Sequence, residues 1–169
     1  MTRPDTTSPA APLEAAAGEA LRARGLTIAT AESSTGGLII ARLTDRSGSS
    51  AYVIGGVVAY ADAVKQAALG VREQTLIDHG AVSEPVAREM ADGARRAFGT
   101  DVALSVTGIA GPTGATATKP VGLTYIGLST PDGTWVRRFV WQGNRAHNRR
   151  ESVDAALRLL LDYLNGTLA

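Results

Sequence analysis

Lysine is scarce in this chain: Lys65 and Lys119 stand among fifteen arginines. Arginine stays protonated and makes a poor base, whereas burial can push a lysine toward its neutral, proton-accepting form. Lys65 follows Tyr60 by five positions, and the adjacent hydroxyls Ser49 and Ser50 lie shortly upstream. A neutral lysine beside a serine can run acyl transfer, taking the hydroxyl proton while a tyrosine relays it to the leaving group. By helical periodicity alone, Lys65 reads rather as a solvated surface residue, as most lysines are. Hydroxyls are concentrated in three glycine-bearing segments: Ser33-Ser34-Thr35, Ser47 with Ser49-Ser50, and Thr107 with Thr113, Thr116 and Thr118. Small hydroxyls beside glycine, with free backbone N–H groups, suit a phosphate or another polar ligand. Each segment taken singly is also an ordinary turn.

Other chemistries are poorly supplied. The chain has no cysteine, which excludes disulfides, thiolate catalysis and cysteine-bound zinc or iron–sulfur centres. Its two histidines, His79 and His147, have no paired ligand spacing. No metal site is therefore expected, and a Ser–His–Asp triad is disfavoured for the same reason. His79 precedes Gly80 at an expected helix end, where an imidazole meets the last carbonyls. The glycine fingerprints of dinucleotide and P-loop sites are missing, as is the Gly-x-Ser-x-Gly elbow.

The elements that must position these residues follow from local pattern. An Ala-rich helix over 13–24 ends at Gly25, and 26–30 reads as a short buried strand. A small polar loop leads into an apolar helical run over 38–43. Residues 52–60 are β-branched and glycine-rich, hence a strand, with Gly55-Gly56 marking a bulge or close approach. Short helices are expected over 62–69 and 72–79. Ser83 is placed to cap a longer helix with Glu84 and Pro85 in its first turn and an apolar stripe of Val86, Met90, Ala94 and Ala97. A strand over 101–107 and a hairpin of 121–130 with 134–141, turning at Pro131-Asp132-Gly133, precede a final helix over 145–164. Helices alternating with strands, then a hairpin, predict a three-layer α/β/α domain with a mixed sheet.

The 169 residues fit one domain, expected over 13–169, after a polar tail over 1–12. A net charge of +1 gives no basic excess, so no nucleic-acid partner is expected. No segment has the length or apolarity of a membrane span or a secretory leader. Together with the lack of cysteine, this leads to an expected cytoplasmic location.

Five segments recur in order: Ala31-Glu32-Ser33-Ser34-Thr35-Gly36-Gly37; Gly48-Ser49-Ser50; Gly55-Gly56-Val57-Val58-Ala59-Tyr60 with Lys65; Gly80-Ala81-Val82-Ser83-Glu84-Pro85-Val86; and Thr107-Gly108-Ile109-Ala110-Gly111-Pro112 with Lys119-Pro120-Val121-Gly122. Together they resemble the CinA C-terminal family, from about Leu13 to Leu164. Ser34 stands where that family often has cysteine, Asn144 where it has aspartate, and His147-Asn148 where apolar residues are commoner. The resemblance implies an amidohydrolase converting nicotinamide mononucleotide and water to nicotinic acid mononucleotide and ammonia, in pyridine-nucleotide salvage, with no metal or other cofactor. It implies Ser50 as nucleophile with Ser49 as the competing choice, Lys65 as base and Tyr60 as its partner. Ser33, Thr35 and Gly36, with Thr107 and Gly108, would line the site for phosphate, ribose or oxyanion. Glu32 would orient the first loop, and Arg145 would meet the phosphate with its fork of donors. A homodimer is the expected assembly. The competing expectations are a non-catalytic nucleotide-binding or competence-associated interaction module, and a hydrolase of the same mechanism acting on another amide.

Overall fold

The computed structural model describes residues 11–168. Of the tail expected over 1–12, residues 1–10 lie outside the described residues, and Ala11 and Pro12 are exposed. The first helix, α1 (Leu13–Arg24), ends at Gly25 in the left-handed conformation. It leads into β1 (Ile28–Glu32), buried at every position as a central parallel strand should be. Then come α2 (Leu38–Thr44), a single 3₁₀ turn over Ser49–Ala51, and β2 (Val53–Val58). Next are α3 (Asp62–Leu69), α4 (Glu73–His79), α5 (Glu84–Phe98) and β3 (Val102–Gly108). The hairpin β4 (Leu123–Thr130) and β5 (Gly133–Val140) and the long α6 (Arg145–Leu164) complete the chain.

The five strands lie in the order β2-β1-β3-β4-β5. β1 pairs parallel with both β2 and β3, and β3–β4 and β4–β5 are antiparallel. This is the expected mixed sheet. Helices α1, α2 and α6 cover one face and α3, α4 and α5 the other. On the first face Leu21, Ile39, Leu43, Ile126, Leu157 and Leu160 form one core. On the second, Ala29, Ala31, Leu69, Val86 and Met90 form another. Each fully buried Leu, Ile, Val or Met side chain among them contributes roughly 1.5–3 kcal/mol. Ala97, expected in the apolar stripe of α5, is exposed.

Two packing details fix the part of the fold that matters for chemistry. A Cβ at Gly93 of α5 would lie 1.9 Å from the Leu69 carbonyl oxygen, so only glycine lets α3 close onto α5 there. Gly36 and Gly37 adopt φ of 62° and 94°, turning the chain sharply from β1 into α2. Ser83 precedes α5 as expected, but its hydroxyl donates back to the Gly80 carbonyl (2.8 Å) instead of capping the helix N–H groups. Glu84 supplies the first-turn carboxylate. Among the described residues no helix is long and apolar enough to cross a membrane.

Candidate active site

The parallel strands β1, β2 and β3 all end on one side of the sheet. The segments that follow them, 33–37, 59–65 and 108–112, therefore gather there, where open α/β sheets bind ligands. Lys65 is 1% exposed, although it lies on the short, peripheral α3. Its Nζ donates to the Tyr60 carbonyl (3.2 Å) and to Asp62 Oδ1 (3.0 Å). Both partners belong to the turn that starts α3, so the buried amino group is held by its own segment, with the Asp62 carboxylate beside it. Asp62 was not singled out from sequence. Its one available signal was its position three residues before the lysine, one helical turn away.

Tyr60 is 62% exposed, and its hydroxyl accepts a hydrogen bond from Arg145 Nη2 (3.3 Å). Arg145 opens α6 and donates through Nη1 to the Gly111 carbonyl (3.0 Å). A groove of about 510 Å³, lined by Pro112, Val121, Arg145 and Ala146 among others, lies beside it. Asn144 caps α6, its side chain accepting from the His147 N–H (2.9 Å). Asn148, one turn on, is buried: it donates to the Ala110 carbonyl (3.1 Å) and accepts from the Gly143 N–H (3.0 Å). The two departures at 144 and 148 thus serve a helix cap and a clamp between loops, and Arg145 is oriented by Gly111 and Tyr60.

The first loop differs from expectation. Glu32 is fully buried, and its carboxylate accepts from Thr35 Oγ1 (2.7 Å) and from the N–H groups of Gly37, Ile39 and Ile40 (each 3.0 Å). It caps α2 from inside, which orients the loop but leaves no oxygen for a ligand. Those N–H groups are consequently unavailable to a phosphate, as is Thr35, which is 0% exposed. Thr107 is also buried, donating to the Ala81 carbonyl (2.8 Å). Gly108 sits under the loop, where a Cβ would come 2.7 Å from Thr124 Oγ1. Arg149, another residue not foreseen, donates to the carbonyls of Ser34 (3.1 Å) and Thr35 (2.8 Å) and pins the loop from α6. What the loop presents to solvent is half-buried Ser33 and exposed Gly36.

Ser49 and Ser50 are placed elsewhere. They precede β2, whereas Tyr60 and Lys65 follow it. Six strand residues at roughly 3.3 Å each put about 20 Å between them. A single chain therefore brings Lys65, Tyr60 and Arg145 to one end of the sheet and leaves the serine pair at the other. Among the described residues no group of three His, Asp or Glu side chains is placed to hold a metal ion.

The CinA C-terminal domain model matches residues 10–164, nearly the whole chain. The chain belongs to the CinA C-terminal domain family. It is 57% identical over 137 residues to a CinA-like protein of Mycobacterium sp. (strain MCS), covering 80% of this chain and 32% of that protein. A CinA-like protein of Chloroherpeton thalassium is 50% identical over 160 residues, or 92% of this chain and 38% of the other. The chain thus spans about a third of the length of these CinA-like relatives. Solved CinA structures share the fold over nearly their full length. A competence-damaged protein (CinA) superfamily protein of Klebsiella pneumoniae 700603 superposes with a TM-score of 0.88 at 32% identity, covering 91% of this chain and 96% of that one. The competence/damage inducible protein of Agrobacterium tumefaciens superposes with 0.86 at 39% identity, covering 90% and 95%.

Proposed function

We propose that this CinA-family chain hydrolyses the carboxamide of nicotinamide mononucleotide, releasing ammonia and nicotinic acid mononucleotide. The observation that carries this reading is the buried Lys65 at the carboxyl end of the parallel strands, its Nζ on the Tyr60 carbonyl while the Tyr60 hydroxyl meets Arg145. A lysine withdrawn from water there is a costly feature that surface solvation does not explain. In the proposed cycle a serine hydroxyl, that of Ser50 supplied by the second copy of the expected homodimer, attacks the amide carbonyl carbon as its proton passes to the Lys65 amine. The tetrahedral intermediate then expels ammonia, the proton reaching the leaving nitrogen through Tyr60. Water attacks the resulting ester, gives up a proton to the same lysine, and releases the carboxylate and the serine. Ser49 is the competing nucleophile that the resemblance implies, and Ser33, the half-buried hydroxyl at the Lys65 end of the same chain, is a further candidate. The Arg145 guanidinium offers the substrate phosphate a planar fork of donors, and the Pro112–Val121–Ala146 groove offers apolar walls to the pyridine ring.

A second reading, a nucleotide-binding module without turnover, is favoured by one observation: the distance of Ser49-Ser50 from Lys65 within a single chain. Ammonia release from nicotinamide mononucleotide, followed with chelator present for the wild type and Lys65→Ala, separates the two. Hydrolysis predicts steady release from the wild type and a loss of at least about 100-fold in the variant. Saturable binding without release establishes the module. Wild-type release that survives Lys65→Ala removes the lysine as base.

A further inference from the structure

Asp62 is the first residue of α3, where a carboxylate ordinarily meets the free N–H groups of its own helix. Here it turns to the lysine one turn on. Its Oδ1 accepts from Lys65 Nζ (3.0 Å), and among the described residues no other group donates to it. The Asp62 side chain is half-exposed, whereas that of Lys65 is 2% exposed. The pair therefore joins a solvated carboxylate to an amine withdrawn from water. The other partner of Nζ is the Tyr60 carbonyl (3.2 Å), a main-chain group fixed by the turn between β2 and α3.

An amine able to accept a proton carries two hydrogens and one lone pair. The Tyr60 carbonyl and Asp62 Oδ1 are two acceptors, one for each hydrogen. With both engaged, the amine no longer turns about its Cε–Nζ bond, and the lone pair keeps a single direction for the hydroxyl or water that gives up its proton. With the Tyr60 carbonyl alone, the amine swivels about that one contact, and the lone pair meets the hydroxyl only part of the time. Holding a base in its productive orientation lowers the barrier without any new bond to substrate. We propose that Asp62 is a positioning residue for this hydrolysis, fixing the Lys65 amine so that its lone pair faces the proton it is to take. This rests on the amide-hydrolysis reading above. The proton transfers are those given there, and Asp62 neither gains nor loses a proton in them. As the proton arrives, Lys65 becomes positive beside the carboxylate, so the same contact strengthens toward the transition state.

Steady-state ammonia release from nicotinamide mononucleotide by the wild type, Asp62→Ala and Asp62→Asn tests it, each as the full chain with its folding checked by thermal unfolding. Asparagine keeps an acceptor oxygen at the same reach without the charge. Asp62→Ala is expected to lose about 100-fold or more in kcat with KM unchanged. Asp62→Asn is expected to stay within about 10-fold of the wild type. A kcat near the wild-type value in Asp62→Ala overturns the proposal, as does a change confined to KM, which would make Asp62 a substrate contact. Asparagine that rescues nothing assigns the effect to charge and overturns positioning. A second readout needs no turnover. Lys65 and Lys119 are the two lysines of the chain, so lysine labelled with ¹³C at Cε gives two sets of signals, and Lys119→Arg identifies those of Lys65. A side chain held in one conformation shows its two Cε hydrogens at separate shifts, and one that rotates freely averages them. The Lys65 pair is expected to be separate in the wild type and Asp62→Asn and to merge in Asp62→Ala. A pair that stays separate in Asp62→Ala means that burial alone holds the amine, and overturns the proposal even where kcat falls. A wild type that releases no ammonia, with the pair merging in Asp62→Ala, overturns the hydrolysis reading while leaving the hold of Asp62 on Lys65 in place.

Discussion

At the scale of single residues, the groups that the proposed reaction uses, Lys65, Tyr60 and Arg145, stand apart from Glu32, Thr35, Thr107 and Asn148, which are spent on internal hydrogen bonds. Arg145 meets the Tyr60 hydroxyl and the Gly111 carbonyl through separate guanidinium nitrogens, so it is aimed before any substrate arrives. A phosphate contact is made equally in the ground and transition states. Arg145→Ala is therefore expected to raise KM for nicotinamide mononucleotide about 10-fold or more while kcat changes little. Steady-state kinetics check this, and an equal loss in kcat would place Arg145 in the chemical step. Sequence made Lys65 visible because lysine is rare here. It could not show that the side chain is buried, since the pattern of α3 alone does not say which of its faces is covered.

At the scale of elements, β1 and α2 form one unit joined through Glu32. Its carboxylate takes one hydroxyl and three backbone N–H groups, all at the start of α2. Glu32→Ala leaves those donors without partners in a buried place. It is expected to destabilise the fold by on the order of 3 kcal/mol, read from urea unfolding. A loss under about 1 kcal/mol would mean that water replaces the carboxylate. The bounds of α1, α3 and α6 match the sequence expectation to the residue; α1 and α3 stop at the left-handed Gly25 and Gly70, and α6 starts at the cap Asn144. The bounds of β1 were read two residues early. Ala31 and Glu32 carry no strand signal of their own, and pairing with Val57, Val58, Ser105 and Val106 makes them strand.

At the scale of the whole molecule, the two ends of the sheet do different work. The end opposite Lys65 is tied by Asp101, whose Oδ2 accepts from the Thr27 N–H (2.8 Å) and hydroxyl (2.7 Å), linking the starts of β1 and β3. Chiefly the Thr27 hydroxyl, then its N–H, hold the Asp101 carboxyl below the usual aspartate value. A depressed carboxylate contributes stability that is present above its unfolded value and is lost as the pH falls through the folded one. Thr27→Val is expected to lower stability near neutral pH by about 1 kcal/mol. That difference from wild type should shrink as the pH drops below the ordinary aspartate range, and a pH series of thermal unfolding checks it. A constant difference would assign the loss to packing.

Sequence alone was enough for the layer order, the mixed sheet, the family and the rarity of a candidate base. These rest on local periodicity, turn chemistry and ordered motifs, which are short-range properties of the chain. It was not enough to say which hydroxyls face solvent. Thr35 and Thr107 resemble ligand-binding residues in composition and are consumed by Glu32 and Ala81. Nor could it say that Lys65 is buried. That is decided by how α3 packs onto α5, a contact between segments distant in the chain.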